Sequence, residues 1–240
     1  MRLNKFIALC GICSRRDADR LIESGKITVN GSFPLMGTKV SDNDVICLDG
    51  KVIKPIGEYT YLAYYKPVGV VCTERDEHAQ KTVTDDLHFE KRVTYAGRLD
   101  KDSEGLLIMT DDGDLINAMM RGSFGHEKEY EVRVDHFLTD DFFDKMSEGV
   151  YLPELKQTTR KCSIKRLSES SFDIVLTQGL NRQIRRMCEI LGYKVVFLKR
   201  IRVMNVSLQN HALLPGEYEA LTKEEVKELL DATGLKYERS

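Results

Sequence analysis

Chemistry is most concentrated in the segment Gly97-Arg98-Leu99-Asp100-Lys101-Asp102-Ser103-Glu104-Gly105, which is polar, bracketed by glycines and runs straight into the apolar Leu106-Leu107-Ile108-Met109. A loop feeding a core strand is a rigid mount for a reactive group. Its carboxylates Asp100, Asp102 and Glu104 fall at i, i+2 and i+4, a spacing that admits the acid and base pair of glycoside hydrolysis. Acidic loops are common, and spacing alone favours solvated turn residues over catalysis. A second polar segment, Gln178-Gly179-Leu180-Asn181-Arg182-Gln183-Ile184-Arg185-Arg186-Met187, opens a helix whose apolar side carries Ile184, Met187, Cys188 and Leu191. On that helix Arg185 lies about 100° round from the stripe, at the shoulder between core and solvent. Arg182 and Arg186 point outward near the helix N-terminus, where phosphates are favoured. A merely soluble helix face explains the same three arginines.

The elements around these segments alternate strand and helix. Ser14-Arg15-Arg16-Asp17 matches a capping box, Ala18, Leu21 and Ile22 form a short stripe, and Gly25 ends the helix. Arg16 and Arg20 face away from the stripe as an i, i+4 basic pair. Lys26 to Gly31 reads as a strand and tight turn, so that roughly the first 50 residues form a compact α/β module ending near Asp49-Gly50. Beyond a linker at 51–60, residues 61–240 hold strands at Tyr61 to Tyr65, Leu106 to Thr110, around Tyr130, and at Phe172 to Thr177, with helices through Met120 and over 182–191. Tyr130, Val132 and Val134 share one strand face, which turns the tyrosine inward. The mixed order predicts an α+β protein: a small N-terminal α/β module followed by a domain on a mixed, largely antiparallel sheet with flanking helices.

Composition narrows the class. The formal net charge is −2, yet residues 156–202 carry twelve Lys and Arg against the acids Glu169, Asp173 and Glu189. A basic surface facing a polyanion fits that asymmetry, although charge alone favours a solvated mixed surface. Six scattered cysteines (Cys10, Cys13, Cys47, Cys72, Cys162 and Cys188) are the usage of a reducing compartment. Cys10 and Cys13 lack the second close pair a zinc site needs. No apolar run approaches the ~20 residues of a membrane span, and the N-terminus lacks a secretion signal. A cytoplasmic protein without membrane or metal partners is expected.

Several segments together resemble a known family. RLNKFIALCGICSRRDADRLIESGKITVNG resembles the S-four-type RNA-binding module, with Arg16 and Arg20 as candidate RNA contacts. Tyr65-Lys66-Pro67-Val68-Gly69, Ala96-Gly97-Arg98-Leu99-Asp100, Lys128-Glu129-Tyr130 and the Gln178 to Met187 segment resemble, in order, four motifs of the RsuA/RluF branch of pseudouridine synthases. The position before the lysine of the first motif, often Asn in the family, is Tyr65 here. The resemblance implies that Asp100 is catalytic and Asp102 is not, that Tyr130 is the active-site tyrosine, and that Arg185 pairs with the catalytic aspartate. It implies Leu198 as an apolar pocket residue. Arg98 is a further candidate substrate contact, Lys66 either shapes the pocket, touches phosphate or is an ordinary surface lysine, and Arg182 and Arg186 are candidate contacts on helix geometry alone. Arg160-Lys161-Cys162 and Arg202 to Leu208 look like the subgroup that modifies 23S ribosomal RNA. The expected partner is therefore structured RNA, 23S ribosomal RNA foremost, with 16S ribosomal RNA or transfer RNA as alternatives, bound by a monomer.

The implied reaction moves uracil from an N-glycosidic to a C-glycosidic bond. Nothing is oxidised or reduced, so no cofactor is required, and no phosphate loop or dinucleotide fingerprint is present. An ionised carboxylate attacks the anomeric carbon or removes the neighbouring ribose proton, and the sequence leaves both routes open. An inward Tyr130 suits stacking on an extruded base, or proton transfer by its phenol, as well as it suits an ordinary core. Two rivals predict different outcomes: a noncatalytic RNA-binding assembly factor tolerates change at Asp100, and a nucleoside or glycoside hydrolase releases free uracil or sugar.

Overall fold

The computed structural model describes residues 1–73, 81–121 and 125–237. Helices α1 (Leu3–Leu9) and α2 (Arg15–Glu23) pack on a three-stranded antiparallel sheet of β1 (Ile27–Val29), β2 (Ile46–Leu48) and β3 (Lys51–Val52). Ser14 Oγ caps α2, accepting from the Asp17 N–H at 3.1 Å and donating to its carboxylate at 2.8 Å. Leu3, Ile7, Ala18, Ile22, Ile27 and Ile46 bury together as a separate small core. Asp49 and Gly50 both take positive φ and join β2 to β3, the mirror-image turn that matches strand twist. That turn therefore lies inside the small sheet rather than at its end.

The larger sheet contains β4 (Tyr61–Lys66), β5 (Thr94–Tyr95), β6 (Glu104–Thr110), β7 (Lys128–Val134), β10 (Ser163–Arg166), β11 (Ser171–Leu176), β12 (Val195–Val203), β13 (Val206–Ser207) and β14 (Tyr218–Ala220). A short hairpin of β8 (Tyr151–Leu152) and β9 (Gln157–Thr158) stands apart. The order is β10-β11-β7-β12-β6-β4-β14, with β5 beside β6 and β13 beside β12. Every pairing is antiparallel except that of β12 with β6. This is the mixed, largely antiparallel sheet expected of an α+β chain.

Helices α3 (Val83–Leu87), α4 (Gly113–Met120), α5 (Asp140–Glu148), α6 (Gln183–Ile190) and α7 (Lys223–Ala232) cover the sheet. Strands β4 and β6 are buried on both faces, which is why they read as continuous apolar runs. Tyr61, Ala63, Leu106 and Ile108 pack with α4 and α7, and Leu62, Tyr64, Leu107 and Met109 with α3. Val132, Val134, Phe172 and Ile174 pack under α5 and α6. Tyr130 touches both of the last two clusters and marks their junction. The Lys5 ammonium bonds the Asp114 carboxylate at 2.7 and 2.9 Å, tying α1 to the start of α4. Among the described residues no helix is long and apolar enough to cross a membrane.

Candidate active site

The loop that carries Asp100 is held by its backbone. Gly69 N–H donates to Lys101 O at 2.7 Å, Ser103 N–H to Asp100 O at 3.1 Å, and Leu99 N–H to Cys72 Sγ at 3.4 Å. At the loop's exit Gly105 has φ +112°, and a Cβ there would sit 2.2 Å from Arg200 O. Only glycine lets β6 approach β12 this closely. The loop thereby becomes one wall of a cleft of about 450 Å³, opposite residues 176–184. Asp100, Arg98, Tyr130, Leu198 and Ile184 all line it. Tyr130 is half-buried and Leu198 buried, while Asp100 keeps partial access to the cleft's water. Arg98, Lys101 and Arg121 are exposed around the rim.

Lys66 is enclosed rather than at the surface. Its side chain is 0% exposed, and Nζ donates to Pro67 O and Ser103 O, both at 2.8 Å. Burial pushes its pKa down, partly opposed by Cys72, Asp102 and Asp100. Of the expected roles, burial excludes that of a surface lysine, and the side chain joins the end of β4 to the Asp100 loop. Six consecutive buried residues in β4 leave no outward position for a surface lysine.

The arginines of α6 divide their work differently from expectation. Arg185 does not pair with Asp100: Nη2 donates to Asp102 O at 2.8 Å and Ser103 Oγ at 3.3 Å, and Nη1 to Val195 O at 3.3 Å. Its Nε lies 3.4 Å from Asp102 Oδ2, an ion-pair distance without hydrogen-bond geometry. Arg182, expected to point outward, takes φ +52° at the start of α6 and grips the Asp102 carboxylate in a fork at 3.1 and 3.0 Å. It also comes within 3.9 Å of Asp100 Oδ2. Arg186 is engaged by the Glu154 carboxylate and donates to Asn181 O at 3.0 Å. Arg16 and Arg20 are exposed on α2 as expected, with Arg20 paired to Asp17 at 2.9 Å.

Asp102 is the loop residue whose role the sequence reading missed. Burial raises its carboxyl pKa, but the Arg182 hydrogen bonds and the charges of Arg185 and Arg182 outweigh that and hold it below the ordinary carboxylate value. Arg200 was also missed. It is 1% exposed, with Nε donating to Leu106 O at 2.7 Å and Nη1 to Arg98 O at 3.2 Å. The available signal was strand parity, because Arg200 follows the core-facing Leu198 by two positions.

Known proteins resemble this chain over most of its length. The RNA pseudouridylate synthase family matches residues 60–190, and the S4 domain matches residues 1–46. The dual-specificity RNA pseudouridine synthase RluF of Escherichia coli (strain K12) is 46% identical over 231 residues, covering 95% of this chain and 78% of that protein. The ribosomal large subunit pseudouridine synthase B of Bacillus subtilis (strain 168) is 35% identical over 234 residues, covering 95% of both chains. A crystal structure of a pseudouridylate synthase superposes with a TM-score of 0.70 at 28% identity, covering 95% of this chain and 99% of that one. With that family model matching more than half of its residues and a relative 46% identical across 95% of its length, this chain is an isomerase that belongs to the RNA pseudouridylate synthase family.

Proposed function

We propose that the protein converts a specific uridine of 23S ribosomal RNA to pseudouridine, acting as a cytoplasmic monomer with Asp100 as its catalytic carboxylate. The observation that carries this reading is the placement of Asp100, part-exposed on a rigid loop over a cleft floored by Tyr130 and Leu198. That cleft accommodates one extruded nucleotide, and a phenol ring and a leucine suit the two faces of a pyrimidine. Asp100 attacks the anomeric carbon or takes the adjacent ribose proton. Arg185 and Arg182 hold Asp102 and the loop backbone, so they position Asp100 through its neighbours. Rim residues Arg98, Lys101 and Arg121, with Arg16 and Arg20 of the small module, are the candidate phosphate contacts. The residues before and after the linker that follows β3 divide the labour between RNA capture and chemistry.

The large-subunit assignment draws support from the relative named for the ribosomal large subunit. Other relatives carry the name dual-specificity, which keeps a second RNA such as transfer RNA in view. The test is to map pseudouridines in ribosomal and transfer RNA from cells with and without this protein. Loss of pseudouridine at one or a few 23S positions is expected. An unchanged map, or free uracil released by the purified protein, would overturn the reading.

A further inference from the structure

The floor of the cleft holds cations that no carboxylate among the described residues pairs with. Arg200 lines it, almost wholly buried, and its Nη2 is buried with no hydrogen-bond partner among the described residues. Its other two donor positions are satisfied by the Leu106 and Arg98 carbonyls, which fix the guanidinium in place. Lys128 lines the same cleft from the neighbouring strand, its ammonium bonded to His126 O at 3.3 Å. Burial, then the charge of Arg200, pushes the Lys128 pKa down. Neither side chain forms an ion pair among the described residues, and the cleft carboxylate Asp100 and its neighbour Asp102 face Arg182 and Arg185. β12 is irregular between Arg200 and Arg202, the kind of bulge that re-aims a side chain.

A buried unpaired guanidinium is costly, and such groups persist where a ligand supplies the missing acceptor. Two ligands are conceivable in an RNA cleft, a backbone phosphate and a base carbonyl. The surroundings decide between them. Ala96, Met119, Leu198 and Val203 line the cleft beside the two cations, a poor environment for a hydrated phosphodiester and a good one for a heterocycle. Exposed cations for phosphates already stand at the rim.

We propose that Arg200 and Lys128 form an electrophilic floor that binds the carbonyl oxygens of the target uracil and stabilises the negative charge it acquires when the glycosidic bond breaks. The inference rests on the function proposed above. When the bond between the anomeric carbon and N1 breaks, its electron pair stays with the ring and spreads over N1, O2 and O4. The sugar is held meanwhile as an adduct of Asp100 or as a glycal. The ring then turns and C5 bonds to the anomeric carbon as the Asp100–sugar bond breaks or, from the glycal, as Asp100 returns its proton to C2′; the C5 proton leaves to solvent and N1 gains one, so that the product is an isomer of the substrate. Donors fixed where charge develops act on the chemical step rather than on RNA capture.

The experiment measures single-turnover cleavage of the N-glycosidic bond in two RNAs, one carrying uridine and one 5-fluorouridine at the mapped position. Fluorine withdraws electron density and makes the ring a better leaving anion, less dependent on the floor. Lys128→Met should slow the uridine reaction by ~10²-fold, with unchanged RNA affinity, and the 5-fluorouridine reaction at least about tenfold less severely. Lys128→Gln, a second neutral variant that keeps a donor, should show the same pattern more weakly. Equal slowing of both substrates, or reduced affinity with a shallower salt dependence, would overturn the proposal, the latter in favour of a phosphate site. Wild-type protein that leaves uridine unchanged in every ribosomal RNA would instead overturn the function on which the inference rests.

Discussion

The Arg182 guanidinium lies 3.0 and 3.1 Å from the carboxylate of Asp102 but 3.9 Å from that of Asp100. The aspartate that the arginines hold is therefore not the one proposed to react. Asp102 works as the anchor of the loop, and Asp100 stands at its tip with fewer partners. A carboxylate locked in a bidentate pair would be a poor nucleophile, so the division leaves the reactive group available.

Asp100→Asn should abolish isomerisation, by about 10⁴-fold or to background, with folding and RNA affinity nearly intact. Asp102→Asn should slow the reaction far less, because it removes an anchor rather than the reacting group. The pair also separates by pH. The Asp102 carboxyl is held below its unfolded value, so its stabilisation is complete above about pH 3.9 and is lost as pH falls through the folded value. Melting curves of wild type and Asp102→Asn should differ at neutral pH and converge in acid. Equal activity of Asp100→Asn and wild type would sink the assignment of the catalytic carboxylate.

Arg185 and Arg186 are neighbours with different duties. Arg185→Met strips donors from Asp102 O, Ser103 Oγ and Val195 O and should cost about 1–3 kcal/mol in the melt along with much of the chemical rate. Arg185→Lys keeps charge but cannot span Asp102 O, Ser103 Oγ and Val195 O at once, so it should recover stability better than rate. Arg186→Met breaks a surface pair with Glu154 and should cost ~0–1 kcal/mol. Calorimetry and single-turnover rates on the same samples check the order.

Lys66→Met should behave as a packing lesion with a catalytic echo. Two carbonyls, of Pro67 and Ser103, lose their buried donor, at about 1–3 kcal/mol each. The salt dependence of RNA binding should not move, since the ammonium never reaches the surface. A reduced salt slope in a folded Lys66→Met protein would return this residue to the phosphate contacts.

Arg16→Gln with Arg20→Gln should leave the chemical step alone and weaken RNA binding, lowering the salt slope by about 0.9 for each phosphate that is no longer neutralised. Filter binding across a salt series reads this directly. An unchanged slope would remove α2 from the RNA interface.

Much was legible in the chain itself. Ser14 and Gly25 delimit α2, Gly192 ends α6, and the runs at Tyr61, Leu106, Tyr130 and Phe172 become β4, β6, β7 and β11, because capping, turn chemistry and strand period act between near neighbours. Four separated motifs likewise named the family before any geometry was known. The partners of the charged groups were not legible. Arg185 and its acceptor on Asp102 are 83 residues apart, and Arg182 and Asp102 are 80 apart. Which aspartate an arginine reaches depends on the crossing of α6 over the Asp100 loop and on the close, glycine-dependent approach of β6 to β12. A helical period places Arg185 at a shoulder without saying what stands beyond it. The burial of Lys66 and Arg200 has the same origin: cations are expected outside, and only a sheet enclosed on both faces, with backbone carbonyls waiting at fixed positions, holds them within.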